Sequence, residues 1–225
     1  SITVHKTTEG QKNIEGIKFY LRGTSDSGRA IDIPATTDKD GIAKFDGVPI
    51  GTYMVIEDEE TVPYGYLVAD EKEVKVEYAQ TIDETILNNE QTGTVKVHKK
   101  TADMTNVEGI RFILSGISDT GREIRIEATT DKDGLAKFEG VPVGTYTITE
   151  DGSTVPYGYL VADSKQVTVA YAQTVDTDMV NEKAPDTPNT GVTDNDSDGS
   201  KALCSVAIIL AGAAIVMFSR KRKER

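Results

Sequence analysis

Apolar and polar residues alternate along this chain in short bursts. The runs "IKFYL", "IAKF", "TYMVI", "EVKVEY" and "TIDETIL" are rich in β-branched and aromatic residues, and turn-forming "SDSG", "DKDG" and "VPYGY" stand between them. No helical periodicity of useful length interrupts the pattern. Around seven short strands in about 90 residues predict an antiparallel β-sandwich. The opening strand, "SITVHKTT", contains a misfit: alternation puts Ile2, Val4 and Lys6 on one face and Thr3, His5 and Thr7 on the other. A charged amine on an apolar face is costly unless it is paired, neutralised or chemically used.

The pattern is written twice. "NIEGIKFYLRG" returns as "NVEGIRFILSG", and "ATTDKDGIAKFDGVPIGTY" returns as "ATTDKDGLAKFEGVPVGTY". The offset is constant at 93 positions, so Gly16 maps to Gly109, Phe45 to Phe138 and Tyr64 to Tyr157. Copies of this length are tandem domains rather than solenoid repeats. We expect two all-β sandwiches in series, residues 1–90 and 94–183, with the boundary at "NEQTG".

The offset places Lys99 opposite Lys6, so the misfit recurs. On the same alternation rule Glu57 follows Tyr53 and Val55 toward the core, and Glu150 follows Tyr146 and Ile148. In the last strand Asn88 shares a face with Ile86, and Asn181 with Met179. Burial disfavours charged forms, driving the amine toward a neutral nucleophile and the carboxyl toward a hydrogen-bond donor. A glutamic acid that polarises the asparagine carbonyl and shuttles protons lets the lysine attack that carbon and expel ammonia. The product is an isopeptide bond from Lys6 to Asn88 and from Lys99 to Asn181, with Glu57 and Glu150 as the catalytic acids. The alternative is that each lysine snorkels from an edge strand and pairs with its glutamate as an ordinary salt bridge. Presence of all three groups twice at one offset favours the bond. Asn89 maps to Glu182, which favours Asn88 as the partner, and Asp58 and Asp151 fall on the opposite face from the catalytic pair.

The series "VHKT…GIKFYL…TTDKDGIAKFDGVPIGTYMVIED…VPYGY…LNN", with its copy, resembles the collagen-adhesin B-type (CnaB-like) domains of Gram-positive surface proteins and pilins over about residues 1–183. The resemblance implies a transthyretin-like, reverse-immunoglobulin sandwich and a self-formed lysine–asparagine bond assisted by the glutamate.

After Asn181 the composition turns polar and rich in Pro, Asp and Gly, which predicts a disordered linker over 184–201. The uncharged run 202–218 follows, at the short limit of a membrane-spanning helix of about 17–25 residues. The basic tail 219–225 then holds the end in the cytoplasm. A permanent single-span anchor is one reading. The order of parts also resembles a Gram-positive cell-wall sorting signal of the LPXTG type: Thr187, Pro188, Asn189, Thr190 and Gly191, with Thr187 where leucine is usual. By that resemblance a sortase cuts between Thr190 and Gly191 and joins Thr190 to an amine of peptidoglycan or of a pilin subunit. The membrane then holds the chain only before sorting, and the mature protein is a secreted, covalently anchored component of the wall surface.

The formal charge of −12 argues against a nucleic-acid partner. The single Cys204 excludes a disulfide within the chain. The opening residues lack the basic start and apolar core of a signal peptide, so we expect the C-terminal portion of a longer protein. "DNDSDG" at 194–199 opens like a calcium loop but has Ser205 where the bidentate glutamate belongs, and His5 and His98 face outward without companions, so no metal and no cofactor are expected. No nucleophile–histidine–acid set or phosphate loop is visible, and self-processing is the only chemistry we expect. The leading reading is an anchored stalk that holds an N-terminal region away from the wall. Two alternatives remain open: a tip or base pilin subunit, and a module that binds a host protein or glycan.

Overall fold

A computed structural model describes residues 1–12, 14–103 and 107–185. The motif at 187–191, the apolar run 202–218 and the basic tail 219–225 lie outside the described residues. In the first copy the strands are β1 (Ile2–Thr8), β2 (Gln11–Lys12), β3 (Lys18–Ser25), β4 (Ala30–Thr36), β5 (Ile42–Phe45), β6 (Gly51–Glu57), β7 (Lys72–Val76) and β8 (Ile82–Asn88). The second copy runs β9 (Thr92–Thr101), β10 (Arg111–Ser118), β11 (Glu123–Thr129), β12 (Leu135–Pro142), β13 (Gly144–Glu150), β14 (Lys165–Val169) and β15 (Thr174–Asn181). Each copy is a pair of facing sheets. In the first, β5, β1 and β8 face a four-stranded sheet ordered β4-β3-β6-β7. In the second, β12-β9-β15 faces β11-β10-β13-β14.

Alternation decides what lies between the layers. In β1 the residues Ile2, Val4, Lys6 and Thr8 are buried while their neighbours are half-exposed, and in β6 Tyr53, Val55 and Glu57 point inward. Two separate cores result. Phe19, Leu21, Phe45 and Tyr53 centre one, and Phe112, Leu114, Phe138 and Tyr146 centre the other. The "DKDG" turns close as expected: Asp38 Oδ1 accepts from the Asp40 and Ile42 amides, and Gly41 takes a left-handed φ of 72°.

One feature departs from a purely antiparallel sandwich. The first and last strands of each copy pair in parallel, with Lys6 opposite Ile86 and Thr8 opposite Asn88, and likewise Lys99 opposite Met179 and Thr101 opposite Asn181. The cause is a crossover: the chain reaches β8 from β7 in the facing sheet, so it enters alongside β1 at the same end. A second difference concerns the boundary. The strand β9 begins at Thr92, because Thr92 and Gly93 pair with Pro142 and Val141.

Because the cores are separate, Phe45→Ala is expected to destabilise the first sandwich by about 3–5 kcal/mol through lost burial and the cavity left behind. Denaturant unfolding followed by amide signals from each sandwich should show the first transition shifted and the second changed far less.

Candidate functional site

In the first sandwich the lysine comes from β1, the asparagine from the end of β8 beside it, and the glutamate from the end of β6 in the facing sheet. The parallel register makes this possible. Asn88 lies two residues beyond the direct partner of Lys6, on the same inward face. All three residues are buried, with Lys6 at 1% and Asn88 at 0% exposure. The Lys6 amine donates to the Thr7 carbonyl at 2.8 Å, to the Ile86 carbonyl at 3.2 Å and, in a short contact, to Asn88 Oδ1. Its distance to Glu57 Oε1 is 3.4 Å. The other carboxylate oxygen, Glu57 Oε2, accepts from the Ala69 amide at 2.8 Å, which fixes the acid in place.

The second sandwich repeats the arrangement with one change. The Lys99 amine donates to the Lys100 and Met179 carbonyls at 2.9 and 3.1 Å and lies 3.3 Å from Glu150 Oε1. Glu150 Oε2 accepts from the Ala162 amide at 2.8 Å. The amide of Asn181, however, is turned so that Nδ2 donates to Glu150 Oε2 at 2.6 Å and to the Leu160 carbonyl at 2.8 Å. Asn88 thus offers its carbonyl end to the lysine, and Asn181 offers its leaving-group nitrogen to the acid. Each amide has its opposite end without a hydrogen-bond partner, as do Glu57 Oε1 and Glu150 Oε1. Removal from water is the dominant influence on both amines. It holds the Lys6 and Lys99 pKa values below the ordinary lysine value, and the neighbouring glutamates offset only part of the effect.

The chemistry open to this geometry is acyl transfer. Nucleophile, amide carbon and acid are adjacent, and no water is needed to carry out the exchange of one amide for another. In such an exchange the lysine nitrogen would bond to the asparagine carbon, the carbon–nitrogen bond of the old amide would break, and the departing nitrogen would leave as ammonia with a proton relayed by the glutamate.

The profile of the SpaA prealbumin-like fold domain matches residues 1–91 and again 93–183. The chain belongs to the SpaA prealbumin-like domain family. Among solved structures, the Bacillus anthracis TIE protein is similar with 23% identity and a TM-score of 0.58, covering 81% of this chain and 34% of that one. The chain therefore spans about a third of the TIE protein. A minor pilin of Streptococcus agalactiae is 18% identical with a TM-score of 0.41, over 85% of this chain and 99% of that one. The shaft pilin SpaA of Lactobacillus rhamnosus GG is 17% identical with a TM-score of 0.38, over 83% and 98%. No curated protein matches the chain.

Other polar residues of these prealbumin-like sandwiches have structural positions. Asp58 and Asp151 cap short 3-10 turns, accepting from the Glu60 and Ser153 amides. Ser153 and Arg111 hold the Asp151 carboxyl down to about 2. His5 and His98 sit on the outer face, 3.6 and 2.9 Å from Asp83 and Asp176, their diagonal neighbours on the adjoining strand. Asn89 is exposed. One buried acid went unforeseen in the sequence. Glu90, between the sandwiches, accepts from Thr120 and pairs with Arg122 in short contacts. Two sequence signals could have found it: it continues the inward alternation of Ile86 and Asn88, and it breaks the repeat, where Glu90 is matched by Lys183.

A pH dependence follows from the lysine. In an Asn88→Ala variant the Lys6 amine stays free, and the unfolded chain binds the proton more readily than the folded one. Stability of the first sandwich should then rise with pH from the lowered value up toward 10.5, the ordinary lysine value. Adding Lys6→Met to that background should remove the slope, as read from urea midpoints across the range.

Proposed function

We propose that this chain is a cell-wall-anchored stalk segment of a Gram-positive surface protein, non-enzymatic toward other molecules, locked by one self-formed isopeptide bond in each sandwich. The observation that carries the reading is the buried lysine, glutamate and asparagine triad. It occurs twice and joins the first strand of each sandwich to its last. The separation of 82 residues makes the loop long. Closing it constrains the unfolded chain by about 4–5 kcal/mol on the loop-entropy model. Position matters as much as energy. A bond between the first and last strands lies where tension applied at the two ends of a sandwich first acts.

Anchoring belongs to the same proposal and rests on the order of motif, apolar run and basic tail. A sortase would cleave after Thr190 and transfer it to an amine of peptidoglycan, or of a pilin subunit, leaving the sandwiches outside the cell. The N-terminal side of the protein then carries any contact with a host protein or glycan.

Intact mass spectrometry of residues 1–190 tests the bonds. The parent should weigh less than its sequence by two ammonia molecules, and the Glu57→Ala and Glu150→Ala variants by one each. A parent at full sequence mass would mean that both lysines are salt-bridged only. Anchoring is read separately: Thr190→Ala is expected to move the protein from the fraction released by wall hydrolase to the fraction released by detergent.

A further inference from the structure

The joint between the two sandwiches is built. From the first sandwich, Gln91 accepts through its carbonyl from the Val143 amide at 2.9 Å, while its own amide donates to the Gly65 carbonyl at 2.7 Å. The carboxylate of Glu90, fully buried, takes Thr120 and Arg122 of the turn 118–122, and Glu9 stands 3.5 Å from the same guanidinium. Gly65 is packed so closely that a Cβ there would come within 2.7 Å of the Thr120 methyl. The second sandwich responds to this cover: Val143 is 2% exposed, and β12 extends through Val141 and Pro142 by pairing with Gly93 and Thr92.

The first sandwich has the receiving half of this joint. Its turn 25–29 is closed by the same bonds: the Ser25 amide donates to the Arg29 carbonyl at 2.8 Å, the Arg29 amide to Ser25 Oγ at 3.0 Å, and the Asp26 amide to the Ile50 carbonyl at 2.9 Å. The matching bonds in the second sandwich are 2.8, 3.0 and 2.9 Å. The difference is cover. Ile50, the counterpart of Val143, is 44% exposed, Val48 and Pro49 are half-buried, and β5 stops at Phe45. Among the described residues no carboxylate pairs with Arg29, and the Ile50 amide has no backbone acceptor.

We propose that this face, formed by Ser27, Arg29 and Ile50, docks the end of another prealbumin-like sandwich joined ahead of Ser1 and presenting a carboxylate where Glu90 stands. Charge selects that occupant. The far end of the second sandwich has the same backbone, with Tyr159 bridging Lys183 as Tyr66 bridges Glu90. Its chemistry is reversed. Lys183 replaces Glu90 and pairs with Asp103 at 3.2 Å, and Ala102 replaces Glu9. A lysine set against Arg29 repels it, so copies of this chain do not join head to tail through that end. The donor is a sandwich end of acidic type, and its connecting strand continues into β1 as residues 91–93 continue into β9.

The test is a full chain carrying an extra copy of residues 1–93 ahead of Ser1, followed by amide hydrogen exchange. The Val143 amide is the internal standard for a formed joint. If the face is a dock, the Ile50 amide gains an acceptor and its exchange slows by about tenfold or more. The protection is lost when the added copy carries Glu90→Lys, and also in Arg29→Ala. Unchanged Ile50 exchange with all three sandwiches folded overturns the proposal, as does protection that survives Glu90→Lys. Ammonia loss, read by mass on the same samples, reports the isopeptide bonds independently of this result.

Discussion

Everything in these sandwiches is arranged around the burial of one lysine amine between two sheets. Taking an ammonium out of water costs several kcal/mol, and a single counter-ion rarely recovers it. Here the amine has two backbone carbonyls from its own and the adjoining strand, a carboxylate from the facing sheet and an asparagine amide. The carboxylate is itself held by a backbone amide, so it cannot rotate away. Such a cluster satisfies the charge only with every member present. The proposed bond removes the difficulty instead of balancing it, because an amide in that place has no charge to solvate. Folding thus creates the electrostatic misfit and brings together the groups whose proposed reaction would resolve it.

Parallel pairing of first and last strands sets what the bond does under load. In β1 the chain enters at Ile2 and passes Lys6 near the far end, and β8 runs the same way to leave at Asn88. Tension on the two ends therefore shears the ladder between these strands. With the proposed bond formed, the load crosses from Lys6 to Asn88 directly. The segment between them, which holds both sheets and most of the core, is bypassed. The same bond between two antiparallel neighbours joined by a hairpin would shield a few residues only.

How much of this is legible without coordinates differs by feature. Lysine, glutamate and asparagine could be read because each breaks a strict two-residue alternation at a strand position, and the repeat shows that the break is no accident. Tyr53 and Val55 fix the face of Glu57, and Ile86 fixes that of Asn88. The parallel direction of β8 could not be read, since it depends on a crossover between sheets and leaves no mark on local alternation. Glu90 was hidden for a related reason. Its side chain continues the inward alternation of Ile86 and Asn88 past the end of β8, but the turn 118–122 of the next sandwich that it meets there leaves no mark on local alternation.

The proposed bond and the joint lie two residues apart, at Asn88 and Glu90, and would resist different motions. A covalent link between strands limits extension of a sandwich and does nothing to its angle with the next. That angle is set by the Glu90 and Arg122 pair, by the strand continuing through Thr92 and Gly93, and by the fit of Gly65 on Thr120. The Arg122 side chain is 39% exposed, so the ion pair is screened by salt in a way that an amide bond is not. Gly93 adds a steric term that salt does not touch: a Cβ there would meet the Ala170 and Gln173 carbonyls within 2.8 Å, which keeps the connecting strand pressed against the second sandwich. With the proposed bond formed, length and bending would be governed by separate parts of the same few residues, and a chain of such units would be inextensible along its axis while its joints are tuned by which charge stands at the end of each sandwich.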